Sequence, residues 1–237
     1  MRVFKKILTM VTGSVLALSM SITAFAASPA GTENGRIDGM TVSEVVTYLE
    51  ESGGSVDDAF LDICESIIDM KDEGLSESQI MDAIAATPAP TSMYDMWGKL
   101  TDSEKALVVT YPKEALAIQS NATKATNSTI STYGYNGNGD VSDAYRHGYW
   151  NALNARDVGS TIAEKFATAH EDISNEEMNR YYDTIGYYGW QLRSMDLHNN
   201  EVGRGVVSWT DVFTSDSTLS SRILEQIKKG NMVILVK

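Results

Sequence analysis

The sequence predicts a mainly α fold, a multi-helix bundle with a helical N-terminal region and at most a short C-terminal strand. Apolar residues recur at helical spacing through most of the chain. Two capping boxes, Thr41 with Glu44 and Thr101 with Glu104, mark the starts of helices. Strand-type alternation is scarce, and only the apolar run 232–236 predicts a short strand or a packed tail.

The N-terminus has the features of a secretory signal. A short basic segment precedes an apolar stretch from Ile7 to Phe25, and Ala24-Phe25-Ala26 forms a cleavage site of small residues. Polar residues dilute the apolar stretch, which favours a cleaved signal over a membrane anchor. We therefore expect removal of residues 1–26 and a secreted protein, extracellular or associated with the cell wall, with no stable membrane span.

Turn-forming residues divide the remaining chain into three parts. Residues 27–40 are rich in Gly, Pro and polar groups, which predicts a flexible leader. Residues 41–86 contain three amphipathic patterns, which predict a small acidic helical region. The break Thr-Pro-Ala-Pro-Thr at 87–91 predicts a boundary. Residues 93–237 then form the expected helical catalytic domain.

Within residues 93–237, the pattern predicts helices separated by one long polar loop. The loop is expected over 126–140, where Gly, Asn and Thr are frequent. A helix is expected from Asp143 to about Arg156, a second over 161–171, and a third over 176–195.

The acidic composition argues against one class of partner. The formal net charge is -13, and loss of residues 1–26 removes Arg2, Lys5, Lys6 and no acid, which brings it to -16. Affinity for nucleic acid depends on Lys and Arg that neutralise phosphates, so no nucleic-acid partner is expected. The single cysteine, Cys64, allows no intrachain disulfide, so stability must come from packing.

All three histidines of the chain fall within one stretch, between Asp140 and Arg204. On the predicted helix, Asp143 lies one turn before His147, where a carboxylate can hold the imidazole tautomer and raise its basicity. Arg146, beside His147, is a candidate clamp for a phosphate or carboxylate. This segment therefore combines an acid, an imidazole and a cation.

Two further segments carry the remaining histidines. His170 ends an apolar helical face and precedes Glu171, so its ring is expected to point inward. Asp196, Asn200 and Arg204 follow one another at one-turn spacing, and His198 lies between them. Imidazole is the commonest metal ligand and the usual general base near neutral pH, which favours one joint site over three independent structural histidines.

The expected site joins all three segments. Its candidate catalytic residues are Asp143, Arg146, His147, His170, Glu171, Asp196, His198, Asn200 and Arg204. The candidate ligands of a divalent metal, zinc or calcium, are His147, His170, Glu171, Asp196 and His198.

The three segments resemble a family of uncharacterised exported bacterial domains, some of them in toxin-like proteins. The similar motifs are Asp-Ala-x-Arg-His-x-x-Trp-Asn-Ala from Asp143, Ala-His-Glu from Ala169, and Met-Asp-Leu-His-Asn-Asn-x-x-Gly-Arg from Met195. This resemblance runs from about Leu100 to Val206 and implies a shared site without a reaction. The Arg-His pair also resembles the helix of small secreted bacterial phospholipases A2, although Gly148 stands where those enzymes have a calcium-binding Asp.

These residues favour a hydrolase, either metal-assisted or with His acid-base chemistry, acting on an envelope substrate such as a phospholipid or other ester. A metal would activate a water molecule, a carboxylate or His would move protons, and an Arg would stabilise negative charge. Two alternatives remain. Aromatic residues, among them Trp150 and Trp190, are compatible with a non-enzymatic module that binds cell-wall or carbohydrate ligands. The polar segments could also be a structural network that only ties helices together.

Overall fold

The computed structural model describes residues 34–86 and 96–236. The expected signal peptide and the Pro-containing boundary at 87–91 lie outside these residues. The described helices are α1 (Val42–Glu51), α2 (Asp58–Asp72), α3 (Glu77–Ala86), α4 (Asp102–Thr110), α5 (Pro112–Tyr133), α6 (Val141–Val158), α7 (Ser160–His170), α8 (Asn175–Asn179), α9 (Gly189–Gly205) and α10 (Asp216–Lys229). A two-stranded antiparallel hairpin, β1 (Tyr181–Tyr182) and β2 (Tyr187–Tyr188), pairs Tyr181 with Tyr188. The predicted mainly α class is confirmed.

Helix α6 is the central element of the fold. It packs against α5, α7, α9 and α10, and from Ser142 to Val158 all its residues except Arg146 are buried. Asp140 caps its first turn by accepting hydrogen bonds from the backbone N–H groups of Ser142 and Asp143. A helix buried on all sides cannot leave its polar side chains in water, so its Asp, His, Asn and Arg must be satisfied inside the protein.

Helices α6 and α9 cross at two glycines. A β-carbon on Gly203 would lie 2.2 Å from the carbonyl oxygen of Gly148, so no side chain fits at this crossing. The approach brings the Asp143 to Asn151 stripe of α6 against the Asp196 to Arg204 stripe of α9. A β-carbon at position 148 would instead meet the side chains of Met232 and Ile223, at 2.6 and 3.3 Å.

The N-terminal helices share one hydrophobic core with the rest of the described chain. Helices α1 and α2 pack on α5, and α3 packs on α4. Leu49 of α1 and Phe60 of α2 belong to the same buried cluster as Leu153 of α6. The helical region expected at 41–86 is therefore packed on α4 and α5, which in turn pack on α7 and α6.

The expectation of a flexible leader is wrong for residues 34–40. The Arg36 N–H donates to the Arg156 carbonyl and the Ile37 N–H donates to the Asp157 carbonyl, both at 3.0 Å, and the Ile37 side chain is buried. The last carbonyls of a helix have no partner within the helix. Residues 34–40 supply those partners for α6, which holds this segment in place.

Two predicted boundaries in the second half are also corrected. Helix α5 continues through most of the expected loop 126–140 and ends at Gly134, which has φ 82°. The polar face of α5 finds hydrogen-bond partners on α6: the Ser128 and Tyr145 hydroxyls lie 2.7 Å apart. The helix expected over 176–195 is interrupted by the β1–β2 hairpin, where Gly186 adopts φ 82° and its N–H donates to the Tyr182 carbonyl.

The C-terminal strand is absent, because residues 232–236 have no strand beside them. Their backbone groups bind elsewhere: Val233 exchanges two hydrogen bonds with the Asn199 side chain, and Leu235 and Val236 donate to the Gly139 carbonyl. The segment is a packed tail. Across the described part of the chain, no helix combines the length and hydropathy needed to cross a membrane.

Candidate functional site

The candidate site lies where three helices meet. Helix α6 supplies Asp143 and His147, the C-terminal cap of α7 supplies Glu171, and α9 supplies Asp196 and Asn200. All five residues are buried. The structure therefore brings together one residue or more from each of the three segments that the sequence singled out.

The imidazole of His147 is at the centre of this group. Its Nε2 lies 3.5 Å from Asp143 Oδ1 and 3.6 Å from Asp196 Oδ1. Its Nδ1 lies 3.2 Å from Asn200 Oδ1. Because Asn151 Nδ2 donates to that same oxygen at 2.6 Å, Asn200 Oδ1 is an acceptor and Nδ1 of His147 carries the proton. The Nε2 lone pair then faces the two carboxylates and Nη2 of Arg146, which lies 3.4 Å away.

One oxygen of the Asp196 carboxyl group has no hydrogen-bond partner among the described residues. This oxygen, Oδ1, is buried. Asp143, His147 and Asp196 each offer one ligand atom, and these atoms all lie within 4.8 Å of one another. These three residues form a buried group that could hold a metal ion.

Burial shifts the pKa values throughout the group. It raises the pKa of Asp196 to about 9, and the nearby Asp143 and Glu171 carboxylates act in the same direction. Burial also raises the pKa values of Asp143 and Glu171. It lowers the pKa of His147 to about 3, with the Arg146 and His170 charges adding to the effect. The imidazole is therefore neutral near pH 7, and the Asp196 carboxyl is protonated there unless a further positive charge is added beside it.

The two predicted arginines have different positions. Arg146 binds the Asp143 carboxylate and the Asn136 side chain, and it donates to the Gly137 carbonyl at 3.1 Å. Arg204 donates to Asn151 Oδ1 at 2.9 Å. Arg146 is thus the cation beside the carboxylates, whereas Arg204 holds the amide that in turn binds Asn200.

His170 lies at the edge of the group. Its Nδ1 is 2.9 Å from Glu104 Oε1, and its ring centroid is 6.5 Å from that of His147 and 5.4 Å from that of Trp150. Half of its side chain is exposed. The hydrogen bond with Glu104 raises the pKa of His170, with the Glu171 and Glu104 charges adding to the effect. His170 is an imidazole oriented by a carboxylate.

The predicted ligand set is corrected at four residues. His198 is exposed, and its Nε2 binds the Asn231 carbonyl at 2.9 Å; two residues after Asp196, it lies roughly 200° around the helix. His170 is outside the metal-capable group. Glu171 is also outside the metal-capable group, because it lies beside the other ring nitrogen of His147, with Oε1 at 3.6 Å from Nδ1. Asp143, which the sequence indicated as a support for His147, is instead a member of the group.

Sequence reasoning did not assign Glu104 to the site. Its only sequence signal was the capping box with Thr101, which the structure contains. The same carboxylate caps α4 through Oε2 and binds His170 through Oε1. This contact joins residues 66 positions apart in the sequence, and no local sequence pattern predicts a contact over that separation.

A cavity of about 360 Å³ adjoins the group. Its volume falls within the roughly 300–1,000 Å³ of small-molecule sites. The walls are mainly apolar side chains, including Phe60, Leu100, Val108, Ile118, Trp150 and Phe166. Arg146, His147 and His170 also line it. The cavity and the buried metal-capable group therefore share His147.

The chain belongs to the DUF6973 family, described as a domain of unknown function, whose model matches residues 105–231. This range contains every candidate residue except Glu104. No match was found among curated proteins or among solved structures. Membership in this family agrees with the expectation of an uncharacterised family and leaves the activity to be argued from the site.

Proposed function

We propose that this protein is a metal-dependent hydrolase in which Asp143, His147 and Asp196 bind a divalent cation beside the cavity. The observation that carries the proposal is the convergence of the His147 Nε2 lone pair with two carboxylates, one of which has an unpartnered buried oxygen. Arg146 supplies positive charge beside Asp143 and His147 Nε2. Asp196 Oδ1, however, has no partner within the described residues, and a buried carboxylate without a counter-charge is unfavourable. A cation would provide that charge.

The donor set favours zinc over calcium. Calcium prefers six to eight oxygen ligands, whereas an imidazole nitrogen with two carboxylates suits zinc or a similar transition ion. Three protein ligands leave a coordination position open for water, which is typical of catalytic sites. When bound, such an ion supplies a hydroxide nucleophile near neutral pH.

The surrounding residues have separate roles in this proposal. Asn200 holds His147 in the tautomer that leaves Nε2 free to bind. Arg146 lines the cavity, where it would stabilise negative charge that develops on a substrate. His170, oriented by Glu104, also lines the cavity and would transfer a proton to the leaving group.

The proposed substrate is an ester of the cell envelope, such as a phospholipid, and the proposed location is outside the cytoplasm. The signal-like N-terminus and the largely apolar cavity walls support this assignment. An apolar cavity next to a polar reaction site suits a molecule with a hydrocarbon part and a hydrolysable bond.

The test compares zinc binding and ester hydrolysis in matched variants. Asp196→Asn and His147→Ala should abolish stoichiometric zinc binding, measured by calorimetry and metal analysis, and should abolish hydrolysis of esters. His198→Ala is the matched histidine control, and it should retain both. Zinc binding in Asp196→Asn as tight as in the wild type would contradict the proposal.

The same variant separates the proposal from a purely structural polar network. Asp196→Asn removes an unpartnered buried carboxylate, so the metal-free protein should be as stable as the wild type or more stable. A structural role for the carboxylate predicts instead a large loss of stability. Urea unfolding of both metal-free proteins at pH 7 distinguishes these outcomes.

A second candidate function is carbohydrate binding at the β1–β2 hairpin. Tyr181, Tyr188 and Trp190 are 48%, 44% and 52% exposed, and the two tyrosine rings pack at 4.9 Å between centroids. Exposed aromatic faces can stack on sugar rings. Loss of binding to purified cell wall in Trp190→Ala, with binding retained in His147→Ala, would support this function.

A further inference from the structure

The cavity has apolar walls inside and cationic side chains at its edge. Phe60, Val108, Ile118 and Phe166 line it and are each at most 7% exposed. Lys99 and His170, which also line it, are exposed, and Arg146 is partly exposed. This gradient means that a ligand would place apolar atoms inward and polar atoms at the opening.

The charge at this opening differs from that of the whole protein. The chain carries a net charge of -13, yet Lys99 and Arg146 both line the cavity. Glu104 is the only acidic residue among the lining residues, and its two oxygens bind His170 and the Thr101 N–H. Arg146 is paired with Asp143, whereas Lys99 makes no ion pair within residues 34–86 and 96–236 and is the cation without a counter-charge from the protein. The opening therefore suits a negatively charged group.

We propose that the cavity binds one hydrocarbon chain of an anionic amphiphile, with the negative headgroup between Lys99 and Arg146. This inference rests on the proposed function in one respect: the hydrolysable bond of such a ligand would lie near His147. The binding itself needs only the walls and the cations. Its ligand chemistry is that of a fatty acid, an alkyl phosphate or an anionic lysophospholipid.

The binding test uses the mature Asp196→Asn protein, which the proposed function expects to be inactive, so that the probes stay intact. Displacement of a fluorescent fatty-acid analogue is measured with dodecanoate, dodecyl phosphate and dodecyltrimethylammonium, each below its micelle concentration. The two anions should bind at least tenfold more tightly than the cation. Equal affinity for the anions and the cation would overturn the proposal.

Two variants locate the binding site. Ala122 lines the cavity on α5, so Ala122→Phe should fill it and reduce dodecanoate affinity at least tenfold. Asn127→Phe adds the same side chain on an exposed position of the same helix, outside the lining residues, and it should bind normally. Equal binding by these two variants would contradict the assignment. Lys99→Ala should weaken dodecanoate but not dodecanol.

A measurement on the unaltered cavity keeps the test valid if Ala122→Phe does not fold. Affinity should rise from octanoate to dodecanoate by at most roughly fourfold per methylene, and it should stop rising once the chain exceeds the cavity. No dependence on chain length would overturn the proposal. A lysophospholipid that binds more tightly than dodecanoate would identify a lipid rather than a free fatty acid as the ligand.

The outcomes separate this inference from the hydrolase. Amphiphile binding without hydrolysis of any ester by the wild type would support the cavity assignment and contradict the proposed reaction. Hydrolysis of short soluble esters without amphiphile binding would support the proposed reaction and contradict the cavity assignment.

Discussion

Gly203 of α9 lies against Gly148 of α6 so closely that a β-carbon at position 203 would be 2.2 Å from the Gly148 carbonyl oxygen. This contact sets the distance between the two helices that carry His147 and Asp196. Because Asp143, His147 and Asp196 come together only across this crossing, the absence of a side chain at position 203 is a condition for the metal-capable group.

Gly203→Ala should therefore destabilise the protein. The added methyl group must push α6 and α9 apart, at a cost of about 1–3 kcal/mol, and zinc affinity should fall because the ligands separate. Gly205→Ala is the control: a β-carbon there meets nothing within 4 Å, and the helix should be unchanged or stabilised by up to about 1 kcal/mol. Urea unfolding and zinc titration measure both effects. Equal stability of the two variants would contradict the role of the crossing.

Asn200 and Asn199 offer a second matched comparison. Both are fully buried, but Asn200 binds His147 whereas Asn199 binds Val233 of the C-terminal tail. Asn200→Ala should lower zinc affinity by about 10–100-fold, because the imidazole loses the acceptor that fixes its tautomer. Asn199→Ala should lose about 1–3 kcal/mol of stability with unchanged zinc affinity. Calorimetry measures the zinc affinity of both variants. Similar zinc affinities would argue against the proposal that Asn200 fixes the His147 tautomer.

A separate buried network ties the C-terminal end of α6 to the N-terminal segment. Arg156 binds both oxygens of Asp157 at 2.7 and 3.0 Å and also binds Asp216. The Tyr48 hydroxyl donates to Asp157 at 2.7 Å. Arg156 and Asp157 have no exposed surface.

Arg156→Met should be strongly destabilising, by about 3–5 kcal/mol, because it leaves the Asp157 carboxylate buried without its counter-charge. The exposed pair Lys105–Asp102 provides the contrast, and Lys105→Met should change stability by less than about 1 kcal/mol. Denaturant unfolding measures both variants. A loss in Arg156→Met no greater than in Lys105→Met would show that the network contributes little.

The ion pair between Asp211 and Arg222 should make the stability of the fold depend on pH in the acid range. Both oxygens of Asp211 bind Arg222, at 2.7 and 3.0 Å. The hydrogen bonds from Arg222, with others from Ser208 and Thr214, hold the pKa of Asp211 well below its ordinary range. A depressed folded-state pKa stabilises the protein above the unfolded-state value, and this contribution is lost as pH falls through the folded-state value.

Asp211→Asn should accordingly cost about 2 kcal/mol at pH 7. The difference from the wild type should shrink below about pH 4, where the unfolded-state Asp becomes protonated. Urea midpoints measured from pH 7 down to pH 2 test this. A stability difference that stays constant over the whole range would contradict the assigned ion pair.

The contents of the candidate site were only partly predictable. Asp143 and His147 are one helical turn apart, so their contact follows from local geometry. The same reasoning applied to α9 placed Asp196 and Asn200 on one face of the helix, but it could not tell that His198 faces away from α6. The Glu104–His170 contact had no sequence signal beyond a helix cap.

Local sequence was enough to predict the helical class, the capped starts of α1, α4 and α6, and the polar stripes on α6 and α9, because these depend on interactions between residues a few positions apart. Only the tertiary structure decided that α5 runs to Tyr133, that residues 34–40 pack on the end of α6, and that Asp143, His147 and Asp196 meet beside an apolar cavity. Those features depend on which helix faces pack together, and between α6 and α9 the packing depends on the close approach to the Gly148 backbone that Gly203 allows.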